Sequence, residues 1–221
     1  MTDNGAAADL LTDREHVLLA FTGAICEITD LDVTDRLRAY LQPELPVALA
    51  ITRNPFDVLR YARQQSGTTA VLVERELRSR ELAAVTTATA TPGALETVRA
   101  LAIAGHTITI VSNISADAVR AYLARHELGQ YVFEVSARNT EDPTPLKPDP
   151  FLLRQAMRVL GTTPGRCCMV GSSVDDIRAA QAADVPVIAY LGASGDRAGL
   201  LSCGPDAAIE NLVDLVSACS G

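Results

Sequence analysis

Five short apolar runs separated by stretches of helical periodicity constrain this chain more than any other feature. They are VLLAF (17–21), TITIVS (107–112), YVFEVS (131–136), CCMVG (167–171) and VIAYLG (187–192). Strands built from such runs have to be covered on both faces, which is the condition of a parallel sheet between helices. The segments between them carry helix starts and stops. Thr91-Pro92 offers a cap residue and a proline at the first helical position ahead of GALETVRALAIAG, which ends at Gly105. SADAVRAYLARHEL (115–128), DPFLLRQAMRVLG (149–161) and SVDDIRAAQAADV (173–185) each lead toward the next apolar run. The alternation predicts an α/β doubly wound layout.

One stretch interrupts it. From about residue 28 to 90 no strand pattern is evident, whereas DRLRAYL (35–41), NPFDVLRYARQ (54–64) and VLVERELRSRELAAV (71–85) read as amphipathic helices, with Asn54-Pro55 a second cap-and-proline start. The expected organisation is a small, polar, mobile tail over residues 1–14, a core domain over 15–27 and 88–221, and a helical insert over 28–87.

Charge and thiol content narrow the partners. A net charge of -8 argues against a nucleic-acid-binding role, because a phosphate backbone is held by clustered Lys and Arg. The N-terminal segment lacks a basic region followed by an apolar one, and no run is long enough to span a bilayer, so the expectation is a cytoplasmic protein without membrane insertion. The five cysteines (Cys26, Cys167, Cys168, Cys203, Cys219) form no CxxC pair and fit reduced thiols. Of the 19 basic residues only Lys147 is a lysine.

Four segments in order carry a resemblance to a known family. LLAFTGAI ends the first apolar run with Gly23; TIVSN presents Ser112 and Asn113; LKPDP presents Lys147; and MVGSSVDDI runs from Gly171 to Asp176. In sequence and spacing these are similar to the motifs of the haloacid dehalogenase (HAD) superfamily, in particular phosphoglycolate-phosphatase-like members with a helical cap inserted after strand one. The resemblance covers roughly residues 16 to 218 and implies a HAD-like core of parallel sheet and helices with a helical cap.

The departures from the motifs bear on chemistry. With Gly23 in register, Ala20 stands where the family keeps its aspartate nucleophile, Thr22 where it keeps the acid/base aspartate, and Ser172 where it keeps a metal-binding aspartate. In the parent reaction one carboxylate attacks phosphorus, a second exchanges protons with the leaving group and water, and Mg²⁺ neutralises phosphoryl charge. Alanine has no nucleophile, and a threonine hydroxyl carries no charge near neutral pH. The resemblance therefore implies a chain without the phosphatase reaction and with Mg²⁺ binding lost. What it leaves are groups on the phosphate side, Ser112 and Lys147, joined by the loop at Thr22, Gly23 and Ala24 and by Asn113, Ser172 and Asp176. An anionic small molecule, a phosphate ester or a carboxylate, is the expected ligand.

Each of these residues also has a plainer reading. Ser112-Asn113 is ordinary turn chemistry, Ser172 or Ser173 caps the following helix, and Lys147 makes a structural ion pair with Asp176 or Asp175. In the insert, Arg53, Asn54, Phe56 and Tyr61 are candidates for a specificity surface, although aromatics at helical spacing also pack cores. Cys26 is a conceivable substitute nucleophile but reads more simply as a small buried hydrophobe. His16, His106 and His126 have no metal-ligand spacing. Three functional readings follow: a pseudoenzyme that binds an anionic small molecule or a partner protein, a repurposed enzyme working without metal in the same cleft, and a purely structural or interaction protein, with a homodimer compatible with each.

Overall fold

The computed structural model describes residues 4–28, 33–41, 45–139, 145–192 and 195–217. Its strands are β1 (His16–Ala20), β2 (Cys26–Glu27), β3 (Thr89–Ala90), β4 (Thr107–Ser115), β5 (Glu134–Arg138), β6 (Cys167–Gly171), β7 (Val187–Tyr190) and β8 (Ala207–Ile209). The helices up to the sheet's second half are α1 (Asn4–Thr12), α2 (Thr34–Arg38), α3 (Val47–Ile51), α4 (Pro55–Gln65), α5 (Gly67–Ala84), α6 (Ala94–Ile103), α7 (Ala116–Arg125), α8 (Phe151–Leu160) and α9 (Val174–Ala182).

Six strands form one parallel sheet in the order β5-β4-β1-β6-β7-β8. Beside β1 the winding reverses: β4 and β5 lie on one side of it, β6 to β8 on the other. In an open α/β sheet such a reversal leaves a crevice at the carboxyl ends of the strands. Val17, Leu18 and Leu19 of β1 and Cys167, Cys168, Met169 and Val170 of β6 are all buried, as the unbroken apolar runs predict. This is the α/β layout expected from the alternation of runs and helices.

Between β2 and β3, which pair antiparallel as Cys26 with Ala90 and Glu27 with Thr89, the chain makes helices α2 to α5. They enclose a second apolar cluster that includes Leu37, Leu49, Val58, Leu59, Val73 and Leu77. The insert thus has its own small core and stands on a two-stranded stem, a pair of strands that the sequence pattern did not suggest. Helix α4 begins as the sequence predicts: Pro55 is at its first turn and the Asn54 side chain accepts a hydrogen bond from the Phe56 amide at 3.0 Å.

Three local expectations are corrected. The N-terminal segment is not a loose tail over its described part: Asn4–Thr12 is helical, with Ala7 and Leu11 buried one turn apart against the core. Its alanine and leucine content favours a helix, and a four-residue spacing puts the two side chains on one face. Residues 1–3 and Cys219 lie outside the described residues. The strand expected at 131–136 begins at Glu134, because Tyr131 closes a turn onto Leu128 and Phe133 stays largely exposed. Thr91 does not cap α6. The residue ahead of that helix is Gly93 at φ 78°, and the Thr91 hydroxyl instead donates to the Gly23 carbonyl at 2.8 Å.

Among the described residues no helix is long and apolar enough to cross a membrane.

Candidate functional site

A cleft of about 380 Å³ opens where the carboxyl ends of β1, β4 and β6 meet the insert. Thr22, Gly23, Ser112, Asn113, Lys147, Ser172 and Asp176 all line it, so the fold brings together residues as far apart in sequence as Thr22 and Asp176. The insert contributes Asn54, Pro55 and Phe56, and Ile28 and Ile114 complete an apolar side. Arg53 and Tyr61 do not border the cleft; Arg53 is exposed and Tyr61 packs against the insert's own apolar cluster. Ala20 is buried at the end of β1, 1% exposed, beneath the loop that carries Thr22.

Lys147 is at the centre of the polar side. It is 5% exposed, and its Nζ donates to Asp176 Oδ1 at 2.5 Å and to the Val111 carbonyl at 2.9 Å. The structural ion pair foreseen for Lys147 is therefore present, and Asp176 rather than Asp175 supplies it. An ammonium has three N–H groups, so one remains beyond these two bonds. The backbone of Lys147 is gripped as well: Asn113 accepts from its amide through Oδ1 at 2.8 Å and donates from Nδ2 to its carbonyl at 3.0 Å. Asn113 can reach that segment because the β4–β5 register shifts between Ser112 and Ser115, a bulge that turns the end of β4 away from its neighbour.

The fourth segment is organised around the other oxygen of Asp176. Oδ2 accepts from the Ser172 amide at 3.1 Å and the Ser173 amide at 3.0 Å, while Ser173 Oγ accepts from the Asp176 amide at 3.1 Å. This is a capping box that starts α9. Ser173, not Ser172, is the cap; the Ser172 hydroxyl donates across the cleft to the Thr22 carbonyl at 2.8 Å and so ties the β6 loop to the β1 loop. Gly171 lies so close to the Asp176 side chain that an added Cβ would approach its Cβ to 2.6 Å, which is why a side chain is excluded there.

The Gly23 amide is engaged with the Cys26 carbonyl at 2.8 Å, with Gly23 at φ 84° closing that turn, and so is not free to meet an anion. Lys147 is also not left unopposed by the missing motif acids, because Asp176 balances it directly and Asp175 adds a second carboxylate to the lining. Burial and, next, the Asp176 charge raise the Asp175 carboxyl above the ordinary carboxylate range. Ser112 accepts from the Ile114 amide at 3.0 Å, as in a turn, yet its hydroxyl proton has no acceptor among the described residues and it borders the cleft.

Cys26 offers no nucleophile. It is fully buried, and burial, followed by the Glu27 charge, pushes its thiol up to about 12.

Sequence reading missed Arg138. Among the described residues it is the largest fully buried side chain, and its guanidinium meets Glu74 and Glu81 of the insert while Nε donates to the Asn113 carbonyl at 2.9 Å. The signal lay in the insert helix. Glu74, Leu77 and Glu81 recur at helical spacing and put two carboxylates on the buried stripe.

Comparison with known proteins places the fold and the family. Over 97 residues the chain is 35% identical to a phosphoglycolate phosphatase of Rhodospirillum rubrum, covering 44% of this chain and 39% of that protein. It is 33% identical over 81 residues to an uncharacterized glycosyl hydrolase of Mycobacterium tuberculosis, covering 37% of this chain and 6% of the other. The chain thus spans well under half the length of the curated relatives it matches. Among solved structures, that of a predicted phosphatase from Clostridium acetobutylicum superposes with a TM-score of 0.73 at 14% identity, covering 92% of this chain and 97% of that one, a likeness of fold. A model of the haloacid dehalogenase-like hydrolases matches residues 8–184, from α1 through all four cleft-forming segments, and the chain belongs to that family.

Proposed function

We propose that this chain is a pseudoenzyme of its family, a cleft that binds a small anionic molecule without Mg²⁺-dependent phosphoryl transfer. The observation that carries the reading is the state of Asp176, whose two oxygens are engaged by Lys147 and by the Ser172 and Ser173 amides. Mg²⁺ takes near-octahedral oxygen ligation and commonly uses one or two carboxylates. Among the described residues the carboxylates lining the cleft are Asp175 and Asp176, and no group of three or more His, Cys, Asp or Glu side chains is placed to hold a metal. That donor set does not fit the ion. Ala20 and Thr22, at the positions of the family's two catalytic aspartates, leave neither a nucleophile nor a proton exchanger for phosphoryl transfer.

Binding has better support than turnover. The remaining N–H of Lys147 and the hydroxyl of Ser112 both belong to the lining, and together they supply two donors to a ligand oxygen. Because Asp176 balances Lys147 and Asp175 adds negative charge, the favoured ligand carries a single negative charge rather than two. Pro55, Phe56, Ile28 and Ile114 offer an apolar wall for the rest of the molecule.

Titration calorimetry with phosphate and with acetate, each without added metal, tests this. Binding is expected to the wild-type chain, weakened about tenfold in Ser112→Ala by loss of one hydrogen bond. Absence of binding for both anions, or equal affinity in Ser112→Ala, would overturn the ligand assignment.

A further inference from the structure

We infer that Arg138 is a positioning residue that fastens the insert to the core and fixes the geometry around Lys147, whatever the cleft binds. Arg138 ends β5 and is 0% exposed, as is Glu81 on α5; Glu74, two turns earlier on the same helix, is 7% exposed. Its Nη2 lies 2.5 Å from each Glu81 oxygen, and its Nη1 meets Glu74. Glu81 Oε2 also accepts from the Ser115 amide at 3.0 Å, at the end of β4. Arg63 of α4 approaches Glu74 at 3.5 Å, so two cations face two carboxylates and the buried group is balanced.

The network has continuations on both sides. The guanidinium lies 5.9 Å from the centre of the Phe56 ring, and Phe56 is packed against the core cluster and the insert cluster alike while bordering the cleft. Toward the core, Arg138 Nε holds the carbonyl of Asn113, the residue whose side chain grips both backbone groups of Lys147. The residue before it, Leu146, is buried in the insert's apolar cluster although it belongs to the core sequence. Insert and core are therefore joined by charge at Arg138 and by apolar packing at Leu146. A buried charge left without its partner is strongly unfavourable, and separating α5 from β4 and β5 would part the fully buried Arg138 guanidinium from both Glu74 and Glu81. The insert is held as part of one rigid unit, and the cleft is a preset cavity rather than one that closes around its ligand.

Hydrogen–deuterium exchange on the full chain tests this, with wild type, Arg138→Met and the shape-preserving Glu74→Gln/Glu81→Gln double variant. In wild type the interior amides of α5 are expected to exchange as slowly as those of β4. In Arg138→Met they are expected to speed up on the order of a hundredfold, the free-energy scale of a broken buried pair, together with amides 113–115 and 147, while β6 and β7 stay protected. The Gln double variant is expected to accelerate the same peptides by a smaller factor, and it decides the matter if Arg138→Met does not fold. A wild-type α5 that exchanges far faster than β4, acceleration confined to β5, or Gln-variant rates within twofold of wild type would overturn the inference.

Discussion

Lys147 Nζ lies 2.5 Å from Asp176 Oδ1 across the carboxyl edge of the sheet, and the two side chains are 7% and 4% exposed. The pair joins the loop before α8 to the first turn of α9 and occupies the carboxylate most able to serve a metal. Its cost and its use are both structural. Removing either partner strands a buried charge, whereas removing both does not.

Lys147→Met is therefore expected to destabilise the chain by about 3 kcal/mol, as is Asp176→Asn, whereas the double variant costs clearly less than the sum. Equilibrium urea unfolding of the three variants and wild type checks this. Additive losses would mean that the two side chains are not energetically coupled.

The cap of α4 gives a smaller, local effect. Asn54→Ala removes the acceptor for the Phe56 amide and is expected to lower stability by about 1 kcal/mol, while Asn54→Gly lowers it by only a few tenths. Shifts in the urea midpoint at constant slope would show it; equal losses in the two variants would count against a capping role.

His126 sets a pH dependence. Its ring packs on Tyr122 with centroids 4.3 Å apart, Nε2 is buried with no hydrogen-bond partner among the described residues, and burial, followed by the Arg125 charge, lowers its pKa from the ordinary value near 6.5. The unfolded chain then binds a proton more readily than the folded one, so stability rises with pH and is lost as pH falls below about 6.5 toward the lowered folded value. His16 is lowered in the same direction, burial being the largest cause. Unfolding midpoints measured from pH 7.5 to 5 are expected to fall, less steeply in His126→Gln. A profile unchanged by that substitution would remove His126 from the account.

The thiols divide by burial. Cys26 and Cys168 are pushed up to about 12 and Cys167 to about 11, chiefly by burial, whereas Cys203 is half-exposed. With a disulfide reagent at pH 8, Cys203 is expected to label in the native protein and these three only after denaturation. Rapid native labelling of Cys26 would restore it as a candidate nucleophile.

Much of this was legible from residue order because parallel strands buried on both faces have an unmistakable pattern. CCMVG is β6 to the residue, and Asn54-Pro55 and Gly161 mark helix ends where they should. The strand Ala207–Ile209 escaped because AAI is short and rich in alanine, with little intrinsic strand preference, and earns its place only by pairing with β7. Lys147, Ser112 and Asp176 were legible as a set from motif spacing. Which of their hydrogen-bonding groups are already engaged was not, since that depends on how the register shift in β4 and the capping box of α9 meet in space. Arg138 escaped for the same reason: an arginine near the end of an apolar run carries no sign of the two carboxylates that a distant helix brings to it.

Release of phosphate from generic phosphate esters, measured with and without Mg²⁺, decides whether this cleft performs Mg²⁺-dependent phosphoryl transfer. Wild type is expected to release none above a Lys147→Ala control under either condition. Mg²⁺-dependent release by wild type that disappears in Lys147→Ala would contradict the account.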